Sequence, residues 1–216
     1  MQRPQDALGQ VGHPAVRRHI LHAGGDATGA EAVRRAIAFV RRIDKLPLPV
    51  RSAPGFLVNR VLMPYMLGAV ERVERGESKE LIDAAALAFG MPMGPIELMD
   101  TVGLDVGASV ARELGHSVPE NSRFASLVAN KNLGRKSGQG FYKWENGKAI
   151  KAETPAHDDL AGLGRELVKP LVDTTIVTVN EGVVANAELA DIGVILGTGF
   201  APFLGGPMQA RMDEKA

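Results

Sequence analysis

An internal repeat is the feature that most constrains the fold of this 216-residue chain. Two long segments of helical periodicity each contain a proline, Pro64 or Pro170, and the same spacing separates each proline from the glycine that closes its segment. Each closing glycine is followed by a short helical segment with an aspartate, then by a glycine and a proline–glycine turn. The ordered members are Gly76, Asp83, Gly90 and MPMGP at 91–95 in the first copy, and Gly182, Asp191, Gly199 and FAPFLGGP at 200–207 in the second.

This duplication predicts how the chain buries its apolar surface. A helical unit that cannot cover its own apolar face needs a neighbour, and a second copy supplies one within the same chain. We therefore expect two helical units packed about a pseudo-two-fold axis, as two protomers pack in an isologous dimer.

Hydrophobic periodicity predicts a mainly α protein. Apolar residues recur at helical spacing over five segments, which are 31–43, 55–75, 79–89, 160–180 and 187–196. Shorter helices are expected from Ile96, near 104–115 and near 122–131. Pro64 lies inside the second long segment, where it should kink the helix. Strand signals are few: an extended piece at 46–50, a remnant at 19–21, and a hairpin around Asn146-Gly147.

Composition excludes several classes of protein. Lys and Arg total 25 and Asp and Glu total 25, so the chain lacks the basic excess that nucleic-acid binding requires. It has no cysteine, which excludes disulfides, thiolate zinc sites, iron–sulfur clusters and a cysteine nucleophile. No apolar run approaches the roughly 18 residues of a membrane span, and the N-terminus has no signal-peptide core. We expect a cytoplasmic protein without a membrane span.

The glycine-rich loop GRKSGQG at 134–140 resembles two nucleotide-binding motifs but fits neither. Arg135, rather than glycine, precedes Lys136-Ser137, so the loop is not a phosphate loop; the glycine spacing and the missing preceding strand exclude a dinucleotide fingerprint. Two interpretations stay open. The loop is a tight surface turn whose glycines permit positive φ, or Arg135 and Lys136 contact an anion.

The histidines do not predict a metal site. His19 and His22 are three residues apart, but no third ligand has a suitable spacing. We interpret both as solvated, and we expect His116 and His157 to be exposed because they lie in polar, turn-like stretches.

Asn59 has two interpretations. It begins a helix just after Pro54-Gly55, beside the apolar stripe. Spacing alone favours a polar residue at a helix start that bonds the nearby backbone.

The longer motifs resemble a known family. The stretches SAPGFLVNRVLMPYMLGAVERVERG at 52–76, ELIDAAALAFGMPMGPIELMDTVGLD at 80–105 and LGRKSGQGFYKW at 133–144 resemble the C-terminal region of 3-hydroxyacyl-CoA dehydrogenases. The second copy, with NEGVVANAELADIGVILGTGFAPFLGGP at 180–207, is similar to the tandem form. That form occurs in the alpha subunit of the fatty-acid oxidation complex and in bifunctional hydratase–dehydrogenases. The resemblance covers roughly residues 31–208.

The resemblance implies a domain organisation. It implies two tandem helical units, like the C-terminal domain of 6-phosphogluconate dehydrogenase, after an N-terminal remnant of a Rossmann domain. We expect a lead-in at 1–50 that is the tail of a missing NAD-binding domain. The first helical repeat is expected at 51–145 and a second, degenerate repeat at 146–216.

The resemblance also implies which site residues this chain carries. The family's asparagine maps onto Asn59, while Arg165 stands at the corresponding place in the second copy. Pro92 and Leu98 correspond to walls of the acyl-chain site. The catalytic His-Glu pair, the substrate-side Ser and the GxGxxG start lie in the family's NAD-binding half and do not map here. We therefore expect no cofactor-binding residue in this chain, although the complete enzyme uses NAD.

The expected function is the substrate-cleft and assembly portion of an NAD-dependent 3-hydroxyacyl-CoA dehydrogenase of fatty-acid β-oxidation. Its expected partners are an acyl-CoA substrate, the missing Rossmann domain, and other subunits in a homodimer or larger complex. A stand-alone, non-catalytic acyl-CoA-binding or assembly module is the alternative. A dehydrogenase of sugar acids or 2-hydroxy acids is a third candidate, against which the PGFLVNR and GFYKW motifs argue.

Overall fold

The computed structural model describes residues 20–23 and 28–213, and it is mainly helical. The described part begins with two parallel strands, β1 (Ile20–Ala23) and β2 (Leu46–Pro49), joined through helix α1 (Ala30–Arg42). Parallel strands joined by a helix are the building unit of Rossmann sheets. This arrangement agrees with the Rossmann remnant that the sequence predicts. Of the strand expected at 19–21, residues 20 and 21 lie in β1, and His19 lies outside the described residues.

The first helical unit contains five helices and a hairpin. The helices are α2 (Val58–Glu74), α3 (Lys79–Phe89), α4 (Pro95–Val102), α5 (Leu104–Glu113) and α6 (Arg123–Ala129). A 3-10 turn at Arg135–Ser137 leads to the antiparallel strands β3 (Lys143–Glu145) and β4 (Lys148–Ile150). Asn146 and Gly147 both have positive φ, 50° and 76°, as a type I′ turn requires. The hairpin is thus confirmed.

The second helical unit has three helices. They are α7 (Leu160–Asn180), α8 (Ala187–Thr198) and α9 (Pro207–Asp213), with a 3-10 turn at Pro202–Leu204. Helix α9 is not predicted from the sequence, because GGP at its start is typical of a turn. A proline is nevertheless well suited to the first helical position, where its missing N–H costs no hydrogen bond.

The sequence predicts most helix ends well. Ser78 Oγ accepts a hydrogen bond from Leu81 N at 3.3 Å at the start of α3, and Asn186 Oδ1 accepts one from Leu189 N at 2.9 Å at the start of α8. Helix α2 is the exception. It begins at Val58 rather than near residue 55, because the preceding turn has positive φ at two successive residues.

The repeated aspartates perform the same task in both units. Asp83 on α3 accepts hydrogen bonds from Ile96 N at 2.9 Å and Glu97 N at 3.2 Å, at the start of α4. Asp191 on α8 accepts one from Met208 N at 2.7 Å, at the start of α9. Each carboxylate therefore binds the positive end of the next helix. The shared contact supports the duplication, while the axis and the unit boundaries stay predictions; the predicted join at 145/146 falls inside the hairpin.

The core lies where the two units meet. Helix α7 packs along both α2 and α3, and α8 packs against α2. The segment after β2 joins the second unit directly, because Arg51 N donates to Val183 O at 2.8 Å. The largest fully buried side chains come from both units: Tyr65, Tyr142, Phe124, Phe200, Leu57, Met63, Met66, Ile82, Ile96, Met99, Leu104 and Leu171. Among the described residues, no helix has the length and apolar character that crossing a lipid bilayer requires.

The duplicated aspartates predict which glycines are indispensable. A Cβ at Gly94 would overlap the Asp83 side chain, and a Cβ at Gly206 would overlap that of Asp191. We expect Gly94→Ala and Gly206→Ala each to lower the free energy of unfolding by about 1–3 kcal/mol, measured by thermal unfolding with circular dichroism. Gly68→Ala in α2 is the matched control, since a Cβ there meets nothing within 4 Å; it should stabilise by about 0.5–1 kcal/mol. A Gly94→Ala protein as stable as the unsubstituted chain would contradict this account.

Candidate functional site

A tight turn places Asn59 at the start of α2. Gly55 and Phe56 have φ values of 70° and 49°, and Phe56 N donates to Ala53 O at 2.9 Å. The turn is also sterically restricted, because a Cβ at Gly55 would lie 2.9 Å from Leu114 Cδ2. The motif Pro-Gly-Phe therefore fixes where the helix begins, and Asn59 becomes its second residue.

Asn59 does not act as a helix cap. The N-cap position belongs to Leu57, and no side chain caps this helix end. Asn59 is half-buried, and its side chain makes no hydrogen bond with any of the described residues. The interpretation of Asn59 as a residue that bonds the nearby backbone is therefore not supported.

The second unit covers the face of α2 beside Asn59. A Cβ at Gly197 on α8 would meet the Val58 side chain, so α8 approaches α2 closely there. On the other side of Asn59, Arg60 Nη2 forms an ion pair with Glu181 Oε2 at 2.5 Å. The surroundings of Asn59 are thus shaped by residues from the other copy of the repeat.

The two predicted wall residues have different environments. Pro92 is exposed, and its ring lies beside Gly199 at the C-terminal end of α8. Leu98 is 5% exposed and packs in the hydrophobic core that the two units share. The same end of α8 therefore borders both the start of α2 and the turn of Pro92, whereas Leu98 faces protein.

A buried carboxylate, which the sequence analysis did not single out, organises the glycine-rich segment. Asp100 is fully buried and accepts hydrogen bonds from Phe141 N at 2.9 Å, Tyr142 N at 2.8 Å and Trp144 Nε1 at 3.0 Å. A Cβ at Gly140 would overlap this carboxylate. The glycine before the aromatic run is thus required by a close approach, and burial raises the pKa of Asp100 while the three N–H donors lower it.

Asp83 is the centre of a second buried network. Its Oδ2 accepts a hydrogen bond from Tyr142 Oη at 2.9 Å and lies 3.2 Å from Lys151 Nζ, which also contacts Glu97 Oε2 at 2.7 Å. Burial raises the pKa of Asp83, and the charge of Lys151 opposes that effect. For Lys151, burial lowers the pKa, but the bond to Glu97 and the charge of Asp83 outweigh it, so the net shift is upward. The network ties the residue after the hairpin to α3 and α4.

The cations of the glycine-rich loop are engaged within the protein. Lys136 Nζ pairs with Asp105 Oδ1 at 2.5 Å, and the Arg135 guanidinium lies 6.0 Å from the centre of the Trp144 ring. Gly134 and Gly138 have positive φ, 90° and 79°. The structure favours the tight surface turn over the anion contact.

The histidine candidates do not form a site in the described region. His116 and His157 are exposed, as predicted. His19 and the side chain of His22 lie outside what the structure describes. Among the described residues, no three His, Asp or Glu side chains form a cluster suited to a metal ion.

Known proteins resemble the segment that contains Asn59, Asp83 and Asp100. Residues 55–144 match the family model described as "3-hydroxyacyl-CoA dehydrogenase, C-terminal domain". This segment is therefore similar to the C-terminal domain of 3-hydroxyacyl-CoA dehydrogenases. The structure accounts for the boundaries of this match, since it runs from the turn before α2 to Trp144, which Asp100 holds.

Relatives extend the resemblance beyond the dehydrogenase C-terminal domain. The fatty acid oxidation complex subunit alpha of Shewanella sp. (strain ANA-3) is 35% identical over 226 aligned positions, which cover 95% of this chain and 32% of the relative. The chain thus spans about a third of the length of the curated relatives it matches. The second unit and part of the lead-in have counterparts there as well, because the alignment covers nearly the whole chain.

Solved structures agree with the fold. The 3-hydroxybutyryl-CoA dehydrogenase of Escherichia coli superposes with a TM-score of 0.70 at 21% identity, covering 91% of this chain and 61% of that one. The (S)-3-hydroxybutyryl-CoA dehydrogenase of Ralstonia eutropha is 30% identical with a TM-score of 0.52, covering 59% of this chain and 47% of that one. The first likeness supports the fold alone, and the second also supports the relationship to the dehydrogenase C-terminal domain.

The Asp100 network yields a test with a built-in probe, since Trp144 is the chain's only tryptophan. Asp100→Ala would leave three buried N–H groups unpaired, so we expect the free energy of unfolding to fall by about 3–5 kcal/mol. The Trp144 fluorescence should change in the folded state, because its indole N–H loses its acceptor. Asp105→Ala, which removes only an exposed ion pair, is the control and should cost under about 1 kcal/mol. An Asp100→Ala protein with unaltered stability and emission would show that the network does not hold the loop.

Proposed function

We propose that this chain is the C-terminal portion of an NAD-dependent 3-hydroxyacyl-CoA dehydrogenase of fatty-acid oxidation. The observation that carries the proposal is the similarity to a fatty acid oxidation complex alpha subunit over 95% of the chain. The similarity of residues 55–144 to the dehydrogenase C-terminal domain supports the same assignment. The chain would form one wall of the substrate cleft, with Asn59 at its rim and the exposed Pro92 beside the acyl chain.

Asn59 has the chemistry that this position needs. An amide is neutral, offers two N–H donors and an acceptor oxygen, and does not titrate. It can donate to the substrate oxygen as negative charge develops there without altering the pKa of a neighbouring base. The local structure supports this role, because the turn at 54–56 fixes the helix start and the half-buried amide is not used as a cap.

The described residues do not fit an NAD site by themselves. Dinucleotides bind across a crevice where the strand order of an open sheet reverses, and the pyrophosphate sits at a helix N-terminus. In the described part of the chain, the parallel sheet has two strands, β1 and β2, which form no such crevice. NAD supplies hydride-acceptor chemistry when bound to the family's nucleotide-binding half, and we assign this chain no part of that site.

The proposal predicts the effect of changing Asn59 in the complete enzyme that carries this segment. Asn59→Ala should lower kcat by roughly 10²–10³, the range found when one positioned donor is removed. Asn59→Asp should also impair turnover, because a negative charge would raise the pKa of the histidine base that the family resemblance implies. NADH absorbance with a 3-hydroxyacyl-CoA substrate is the measurement, and Asn121→Ala, in an exposed turn, is the matched control. Full activity of the Asn59→Asp variant would contradict the proposal and indicate that Asn59 has a structural role.

A titration separates this proposal from the module alternative. We expect calorimetry of this chain with NADH to show no saturable binding in the micromolar range, since the described residues form no such crevice. Acyl-CoA binding should be weak, because the chain would contribute only one wall. Micromolar NADH binding would contradict the proposed division of the enzyme. Tight acyl-CoA binding without NADH binding would instead favour a stand-alone acyl-CoA-binding module.

A further inference from the structure

The long helices α2 and α7 run antiparallel and are joined by an ion pair near each end. Arg60, in the first turn of α2, pairs with Glu181 at the end of α7 at 2.5 Å. Arg72, near the end of α2, pairs with Glu166 near the start of α7 at 2.8 Å. In both pairs the arginine comes from the first unit and the glutamate from the second.

Aligning Pro64 with Pro170 shows what each unit would meet in a copy of itself. Under this alignment Glu166 stands at the position of Arg60, and Glu181 at the position of Arg75. If two copies of the first unit packed together, Arg60 of one copy would therefore lie towards Arg72 and Arg75 of the other. A pair of second units would bring Glu166 towards Glu181. Either self-pair places like charges together, which disfavours association.

The contacts that α2 and α7 make with the short helices α8 and α3 are also complementary, in side-chain size. Where α7 crosses α3, the small residue is on the long helix: a Cβ at Gly164 would meet Ala85 O and Phe89 Cβ. Where α2 crosses α8, the small residue is on the short helix, and a Cβ at Gly197 would meet Val58. In each crossing a glycine therefore faces a larger residue.

These two crossings correspond to each other in the repeat. Val58 aligns with Gly164 through the prolines, and Phe89 aligns with Gly197 through Asp83 and Asp191. If two first units packed together, Val58 would lie against Phe89, although this crossing has room for a large side chain on only one of the two helices. A self-pair of second units would face Gly164 with Gly197 and leave a void. Overpacking and voids are both destabilising in a close-packed contact.

We infer that the two units are a mutually selective pair: each unit pairs better with the other unit than with a second copy of itself. The selectivity comes from the charges and side-chain sizes along α2, α7 and their flanking helices. The surface that a duplicated unit would otherwise offer to another chain is occupied within this one. The surface of α2, with its two arginines, is complementary to one kind of helix. That helix has glutamates near both ends and a glycine six residues before its proline.

A charge-swap cycle on the full chain tests the electrostatic half. One variant carries Arg60→Glu with Arg72→Glu, a second carries Glu166→Arg with Glu181→Arg, and a third carries all four changes. We expect each double variant to lower the melting temperature by about 2–8 °C, and the fourfold variant to regain at least half of the loss. The differences should shrink in about 1 M salt, where exposed charges are screened.

The control for this cycle is an ion pair that does not cross between the units. Lys169 and Asp173 pair within α7 and are exposed, so the exchange of Lys169→Asp with Asp173→Lys should leave the melting temperature nearly unchanged. If the fourfold variant shows the sum of the two losses, the arginine–glutamate pairs do not select the partner and the inference fails.

A second cycle tests the size complementarity. Gly197→Ala should lower the melting temperature because its Cβ meets Val58, and Val58→Ala should recover part of that loss when the two changes are combined. Gly164→Ala should lower it too, but no side-chain change can relieve it, since its Cβ meets the backbone oxygen of Ala85. The size argument would be overturned if Gly197→Ala left the melting temperature unchanged. It would also be overturned if adding Val58→Ala recovered none of the loss.

Discussion

The antiparallel packing of α2 against α7 is the interaction on which the rest of the structure depends. Each helix buries one apolar face against the other, and neither face would be covered in a single copy of the repeat. The contact also sets the position of α3 and α8, which pack on the opposite unit's long helix. Because packed side chains interdigitate at crystal-like density, a shift at this contact would move every element that rests on it.

Three buried carboxylates then tie separate stretches of chain to this helical frame. Asp83 and Asp191 each hold the start of the next helix, and Asp100 holds the segment that ends in Trp144. Burying a carboxylate is costly unless donors surround it, so each of these groups imposes a defined arrangement of the backbone around it. The glycines Gly94 and Gly140 are needed because these carboxylates come so close.

The two copies of the repeat differ at the aligned positions 59 and 165. The first carries Asn59 at a helix start fixed by a tight turn, and the second carries Arg165 at the aligned position, where it is exposed and lies 3.9 Å from Asp159. The second copy contributes instead through Gly197 and Glu181, which contact the two neighbours of Asn59. In the proposed enzyme, the duplicate would act by holding the wall of the cleft in place.

The sequence by itself determined the helical class, the repeat and most helix ends, because periodicity, caps and glycine stops act within a few residues of one another. A site role for Asn59 comes only from the family resemblance and stays a prediction, since spacing alone favoured a structural role. The tertiary structure decided that Leu98 is a core residue, that α9 is a helix held by Asp191, and that Asp100 organises the glycine-rich loop. These features join residues far apart in the chain, and a buried acceptor cannot be told from a solvated one until the packing determines which donors surround it.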